Sequence, residues 1–193
     1  MVAPTDTTPA PAAPPTFDAV EAKLLGAAAL VIEYQIVSEG AFPAEVKGDV
    51  HLTRDNRLRW RASGTFGGKP LSIDHVADAS AGVHLAEAVV LGWTRMGLLH
   101  NIARLSGGQP IDRAAGGAAT WLAVTPTKTT AETIAYDLVV DGQPSGSGTL
   151  DVDSLGTPRG HTMRVQFASG SMTVTERYSV RIADGLDPAI FVP

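Results

Sequence analysis

Cysteine is absent from all 193 residues, which removes disulfides, thiolate catalysis and cysteine-based metal sites together. Aromatic residues are scarce, at 6%, so the core must be built mainly from aliphatic side chains. Charge of one sign is never gathered. The net charge is a mild -5, and no run of Lys or Arg is long enough to follow a phosphate backbone, which argues against a nucleic-acid partner. Long hydrophobic runs are missing too. The longest weakly charged stretch, Val83 to Leu105, is interrupted by His84, Glu87, Arg95, His100, Asn101 and Arg104, so no stable membrane insertion is expected.

What the chain has is punctuation and alternation. Twenty glycines and 13 prolines, with many Thr and Val, favour turns and strands over a helical bundle. Residues 1–15 form an Ala/Pro/Thr-rich stretch that reads as a disordered tail. It is either an ordinary terminus or the tether of a mature exported protein whose signal peptide has been removed. Residues 16–193 are long enough for one domain with a sizeable core.

Thr16 is placed to cap a short helix in which Phe17, Val20, Leu24 and Leu25 share a face, with Asp18 and Glu21 in its first turn and Gly26 at its end. The spacing then changes to two. Leu30, Ile32, Tyr34 and Ile36 face one way and Glu33 and Gln35 the other. Strands are expected at 45–53, 57–66 and 69–78, joined at Asp55-Asn56 and Gly67-Gly68. A helix with a wide apolar arc is expected over 84–105, stopped by Gly107, Gly108 and Pro110, with an Ala/Gly-rich loop running on to Trp121. Four more alternating segments follow, at 133–140, 146–152, 161–168 and 171–182.

These elements predict an α+β fold: a curved antiparallel sheet of about eight strands, an incomplete β-barrel, wrapped around a central lid helix with a short N-terminal helix beside it. A flat sandwich or a filled barrel leaves no room for a long helix with so broad an apolar arc.

Gly48 to Trp60 is the most informative segment. Val50 and Leu52 alternate with Asp49, His51 and Thr53, and after the turn Leu58, Trp60 and Ala62 alternate with Arg57, Arg59 and Arg61. A Gly-initiated strand that reaches Arg54, a turn, and then Arg59-Trp60 resembles the signature of the periplasmic lipoprotein-carrier superfamily, the LolA/LolB-like proteins. The order of elements is also similar. Asp55 stands where that family commonly has proline, and there is no lipobox cysteine. The resemblance implies an exported, periplasmic protein whose sheet and helix enclose an apolar cavity for acyl chains.

The candidate ligand site follows from that picture. Trp60, Trp93, Met96, Leu99, Trp121 and Tyr136 could line the space between sheet and helix. Met163, Phe167, Met172 and Tyr178 would join them, with methionines suited to an acyl chain. Plain core packing is the competing reading of the same residues.

Glu176 is the anomaly, because its neighbours Met172, Val174, Tyr178 and Val180 place its carboxylate on the apolar face. It requires a partner such as Arg95, or it serves as a polar anchor for a head group. A zinc site or a hydrolytic pair built from His75, His161 and Glu176 is chemically permissible but has no supporting spacing. No Gly-x-Ser-x-Gly elbow or phosphate loop is present. The sequence therefore predicts a non-enzymatic binding or carrier protein, without cofactor, for a lipid or other apolar small molecule. The alternative is a cell-envelope structural or interaction module with a filled core, whose strand edge or arginine stripe meets a protein partner.

Overall fold

A computed structural model describes residues 14–78, 84–111 and 121–192. Most of the expected tail lies outside the described residues. Helix α1 (Phe17–Gly26) begins where its cap predicts, with the Thr16 hydroxyl accepting the Ala19 N–H at 3.2 Å. Phe17, Val20, Glu21 and Leu24 form its buried face. At its far end Lys23 donates to the Leu155 carbonyl at 2.6 Å and the Thr157 hydroxyl at 2.8 Å.

Among the described residues nine strands make one antiparallel sheet. They are β1 (Ala29–Gly40), β2 (Ala44–Thr53), β3 (Leu58–Phe66), β4 (Lys69–Ala77), β5 (Leu122–Thr129), β6 (Thr133–Val140), β7 (Gln143–Val152), β8 (Pro158–Phe167) and β9 (Gly170–Ala183). The order across the sheet is β4-β3-β2-β1-β9-β8-β7-β6-β5. It is curved and open, with β4 and β5 at its edges, as an incomplete barrel requires. Period-two burial along β1, with Ile32, Tyr34 and Ile36 inside and Glu33 and Gln35 outside, fixes which face meets the core.

Strands β2 and β3 come unusually close at Gly48. This glycine pairs with Tyr34, whose hydroxyl donates to the Arg61 carbonyl at 2.8 Å. A Cβ at position 48 would sit 1.9 Å from that same carbonyl oxygen, so only glycine allows β2 and β3 to approach so closely there.

The sheet has nine strands where eight were expected. The addition is β5, an edge strand exposed along most of its length that carries Pro126 and a register shift at Pro126/Lys128. An edge strand with both faces wet has no apolar alternation to betray it, and proline is tolerated there because one edge has no ladder to complete.

The expected single helix over 84–105 is two helices, α2 (Leu85–Met96) and α3 (Leu99–Ser106). Gly97, at φ +75°, ends α2. The Glu176 side chain on β9 then accepts the N–H groups of Leu98 and Leu99 at 2.8 and 3.0 Å. Donors that one continuous helix would have spent internally go to the sheet instead. Helices and sheet share one apolar core that includes Trp60, Trp93, Leu98, Ile102, Tyr136 and Val174.

Candidate functional site

Two regions concentrate polar chemistry, one between the helices and the sheet and one on the opposite face. In the first, Glu176 is 1% exposed and accepts three hydrogen bonds, two from the start of α3 and one from the Tyr178 hydroxyl at 2.5 Å. Burial pushes its carboxyl pKa up, and those three donors oppose the rise. The Arg95 partner considered for Glu176 goes elsewhere. Arg95 forks onto Glu21 of α1, with both contacts at 2.7 Å, and donates to the Leu122 carbonyl at 3.0 Å. Thr94 donates to the same Glu21 at 2.9 Å.

Glu21 was legible as an acidic first-turn residue but not as a buried one. The signal was there, since it lies four residues from Phe17 and three from Leu24 on the helix's inner face. His161, 1% exposed, pairs through Nε2 with the Tyr136 hydroxyl, which also contacts the Arg95 carbonyl at 2.8 Å. Burial drives the His161 pKa down to about 3, so the ring is neutral near pH 7.

The residues expected to line an apolar chamber are largely brought together here. Trp60, Trp93, Leu99, Tyr136, Met163 and Met172 are buried in the shared core, and Met96, Trp121 and Tyr178 are packed against it. Tyr178 meets Trp93 edge-on, with ring centres 5.3 Å apart. Phe167 stands apart at the end of β8, 36% exposed, against Phe42. His75 lies on β4, away from the His161–Glu176 pair on β8 and β9. Among the described residues no group of three His, Asp or Glu side chains is arranged to hold a metal.

The second region is a groove of about 1160 Å³ across the face of β4, β3, β2, β1 and β9 that points away from α1, α2 and α3. The strand register sets its floor. One row runs Arg177, Gln35, Lys47, Ser63, Ser72, and the next runs Ser179, Glu33, Asp49, Arg61, Asp74. A third carries Arg181, Val31, His51 and Arg59.

Asp49 is a hub. Arg61 reaches it with Nη2 at 2.9 Å and Nε at 3.1 Å, and His51 Nδ1 lies 2.9 Å from the same oxygen. Burial lowers the His51 pKa, with Arg61 and Arg181 acting in the same direction and Asp49 against it.

The stripe Arg57, Arg59 and Arg61 is therefore engaged within the chain. Arg59 forks onto Asp74 at 2.8 and 2.6 Å. It also donates to the Ile190 and Val192 carbonyls at 2.9 and 3.2 Å. Arg57 covers the Phe191 ring at 5.1 Å. In contrast Lys47, Arg177 and Arg181 form no ion pair among the described residues. Sequence reasoning missed this groove because its five strands meet only after folding. The alternation of Arg177 and Arg181 with Glu176, Tyr178 and Val180 was the available clue.

No protein-family model matches the chain, and no curated protein matches it. Solved structures similar to it include the MucA/MucB complex of Pseudomonas aeruginosa, at 12% identity and a TM-score of 0.44, covering 92% of this chain and 60% of that one. MucB in complex with MucA(peri) gives 11% identity and 0.42, covering 92% and 58%. This chain thus spans less than two thirds of those two. The LolA superfamily protein NE2245 of Nitrosomonas europaea, at 9% identity and 0.32, is covered over 98% of its length and 92% of this chain. The fold assignment rests on strand order and helix placement themselves. No described helix is long and apolar enough to cross a membrane.

Proposed function

We propose that this chain is a non-enzymatic binding module that receives its partner in the groove on the outer face of the sheet. The observation that carries the reading is the groove itself, about 1160 Å³, open and floored by side chains of which Lys47, Arg177 and Arg181 form no ion pair among the described residues. A sheet face meant only for water needs no such concavity. The inner polar cluster supports a structural role. Glu176 and His161 are sealed from solvent, and their contacts hold helices to sheet, so no reactant meets them without unfolding part of the core. Export belongs to the same proposal, on the Ala/Pro/Thr-rich composition of residues 3–15.

A second reading, carriage of an acyl chain between sheet and helices, has one observation in its favour. The joint at Gly97 separates apolar α2 from amphipathic α3, with two α3-end amides held by Glu176, so α3 has a place to swing from. The ligand would have to displace side chains that now pack together.

Native mass spectrometry of gently purified protein, with amide-shift mapping against a set of short peptides, tests the two. Shifts at Gln35, Lys47, Ser63 and Ser179 with no co-purifying lipid support the groove. Bound lipid with shifts at Trp93, Leu98 and Leu99 supports carriage and overturns it.

A further inference from the structure

We infer that the occupant of the groove is an extended, acidic peptide segment of a partner protein. The inference rests on the binding-face reading above and names its chemistry.

Charge complementarity comes first. The chain carries net charge -5, yet this face gathers three cations without an ion-pair partner among the described residues, Lys47, Arg177 and Arg181, against one such carboxylate, Glu33. The register sets Arg177 and Lys47 on either side of Gln35. Two cations flanking an amide, with Ser63 beyond, suit carboxylates carried on a chain that also offers N–H and C=O groups.

The adjoining surface already holds polypeptide. Ile190 and Val192 of the chain's own C-terminal segment present carbonyls to Arg59, and Phe191 lies under Arg57. Arg59 shares its row with His51, Val31 and Arg181. The groove therefore adjoins a surface whose Arg59 already holds main-chain carbonyls, there of a single 3-10 turn, Pro188–Phe191, and its C-cap Val192.

Mixed lining argues against a uniform polyanion. Glu33, Asp49 and Asp74 interrupt the cations, and evenly spaced phosphates or sulfates would meet them. A peptide places its few carboxylates where cations are and leaves other positions neutral. Five strands at the usual spacing give a groove of roughly 19 Å, which takes about six extended residues.

The test uses fluorescence anisotropy with three fluorescein-labelled ten-residue peptides, Glu/Ser, Gln/Ser and Lys/Ser, at low salt, with amide-shift mapping of the intact chain. The Glu/Ser peptide is expected to bind, to weaken as salt rises, and to shift Gln35, Lys47 and Ser63. The double variant Arg177→Glu, Arg181→Glu is expected to weaken it at least tenfold with an unchanged unfolding midpoint, because both side chains are exposed.

Equal binding of the Gln/Ser or Lys/Ser peptide, with groove shifts, overturns the acidic assignment but leaves the binding face standing. Tighter binding of heparin than of the Glu/Ser peptide does the same. Shifts confined to α2 and α3 overturn both, as does failure of every probe to move the groove amides. Unchanged affinity in the charge-reversed variant overturns the inference alone.

Discussion

The two wings of the sheet are copies of one design with different fillings. In β1–β4, Tyr34 lies over Gly48, and the Trp60 indole N–H donates to the tyrosine hydroxyl at 3.0 Å. In β6–β9, Tyr136 lies over Gly148, and His161 reaches that tyrosine's hydroxyl. The β2–β3 and β7–β8 turns match as well. Thr53 and Asp153 each accept with their side chains from the N–H four residues on, at 3.1 and 2.8 Å.

Registers align Val50↔Trp60 with Leu150↔His161, and Trp60↔His75 with His161↔Glu176. The same two inward positions thus hold an indole and a half-buried histidine on one wing, and a buried imidazole and carboxylate on the other. The comparison shows how one frame divides labour. The second wing spends its inner pair on fastening the helices, and the first closes its interior with tryptophan and supplies most of the groove on its outer face.

The largest test of that division is at the paired glycines. At Gly48 an added methyl meets the Arg61 backbone carbonyl, whereas at Gly148 it meets only the Tyr136 side chain at 2.4 Å. Gly48→Ala is expected to cost about 3 kcal/mol or more and Gly148→Ala about 1–2, since a side chain yields more readily than a strand. Urea unfolding midpoints decide it, and equal losses would mean that the wings are equally strained.

The inner pair is tested next. Glu176→Gln leaves an amide nitrogen facing donors and should cost about 1–3 kcal/mol, with faster hydrogen exchange at Leu98 and Leu99. His75→Gln should cost under about 1 kcal/mol, because that ring is only half-buried. Unchanged exchange at Leu98 and Leu99 would remove Glu176 as the fastening.

The last test is titration, whose effect is spread over several pH units. His161 is held down at about 3, below the 6.5 it has when unfolded, so between those values the unfolded chain binds a proton that the native one refuses. Stability therefore falls as pH drops through that window, by up to about 1.4 kcal/mol per pH unit from this group. Glu176, with its pKa raised, acts in the opposite sense from about 4.5 upward, where rising pH removes a proton only the native state retains. Comparing His161→Gln with the parent isolates the histidine. Stability–pH curves of equal slope from pH 6 to 4 would show the ring to be less buried than the contacts require.

Much of the first wing was legible in the sequence, because its strands alternate cleanly and its turns announce themselves. Asn56 does adopt φ +65°, as a tight connection between Asp55 and Arg57 demands. The Thr16 cap was equally local. What escaped depends on partners far along the chain. A lone glycine in a helical pattern predicts no break by itself. The break at Gly97 is completed by a carboxylate 77 and 78 residues from the amides it holds. Strand β5 escaped for the reverse reason, since it has a backbone partner but no buried face. The groove shows the same dependence: each outward residue was visible, and only the register brings Arg177 beside Gln35 and Lys47.

The seam between the wings has a consequence for how the protein is made. It joins the first strand to the last, from Ala29↔Ala183 to Gly40↔Met172. Until Gly170–Ala183 has left the ribosome, β1 has one unsatisfied flank and no strand ladder joins the two meanders. So distant a closure has high contact order, and such closures are slow to form, which makes the β1–β9 seam the last part of the sheet to be completed.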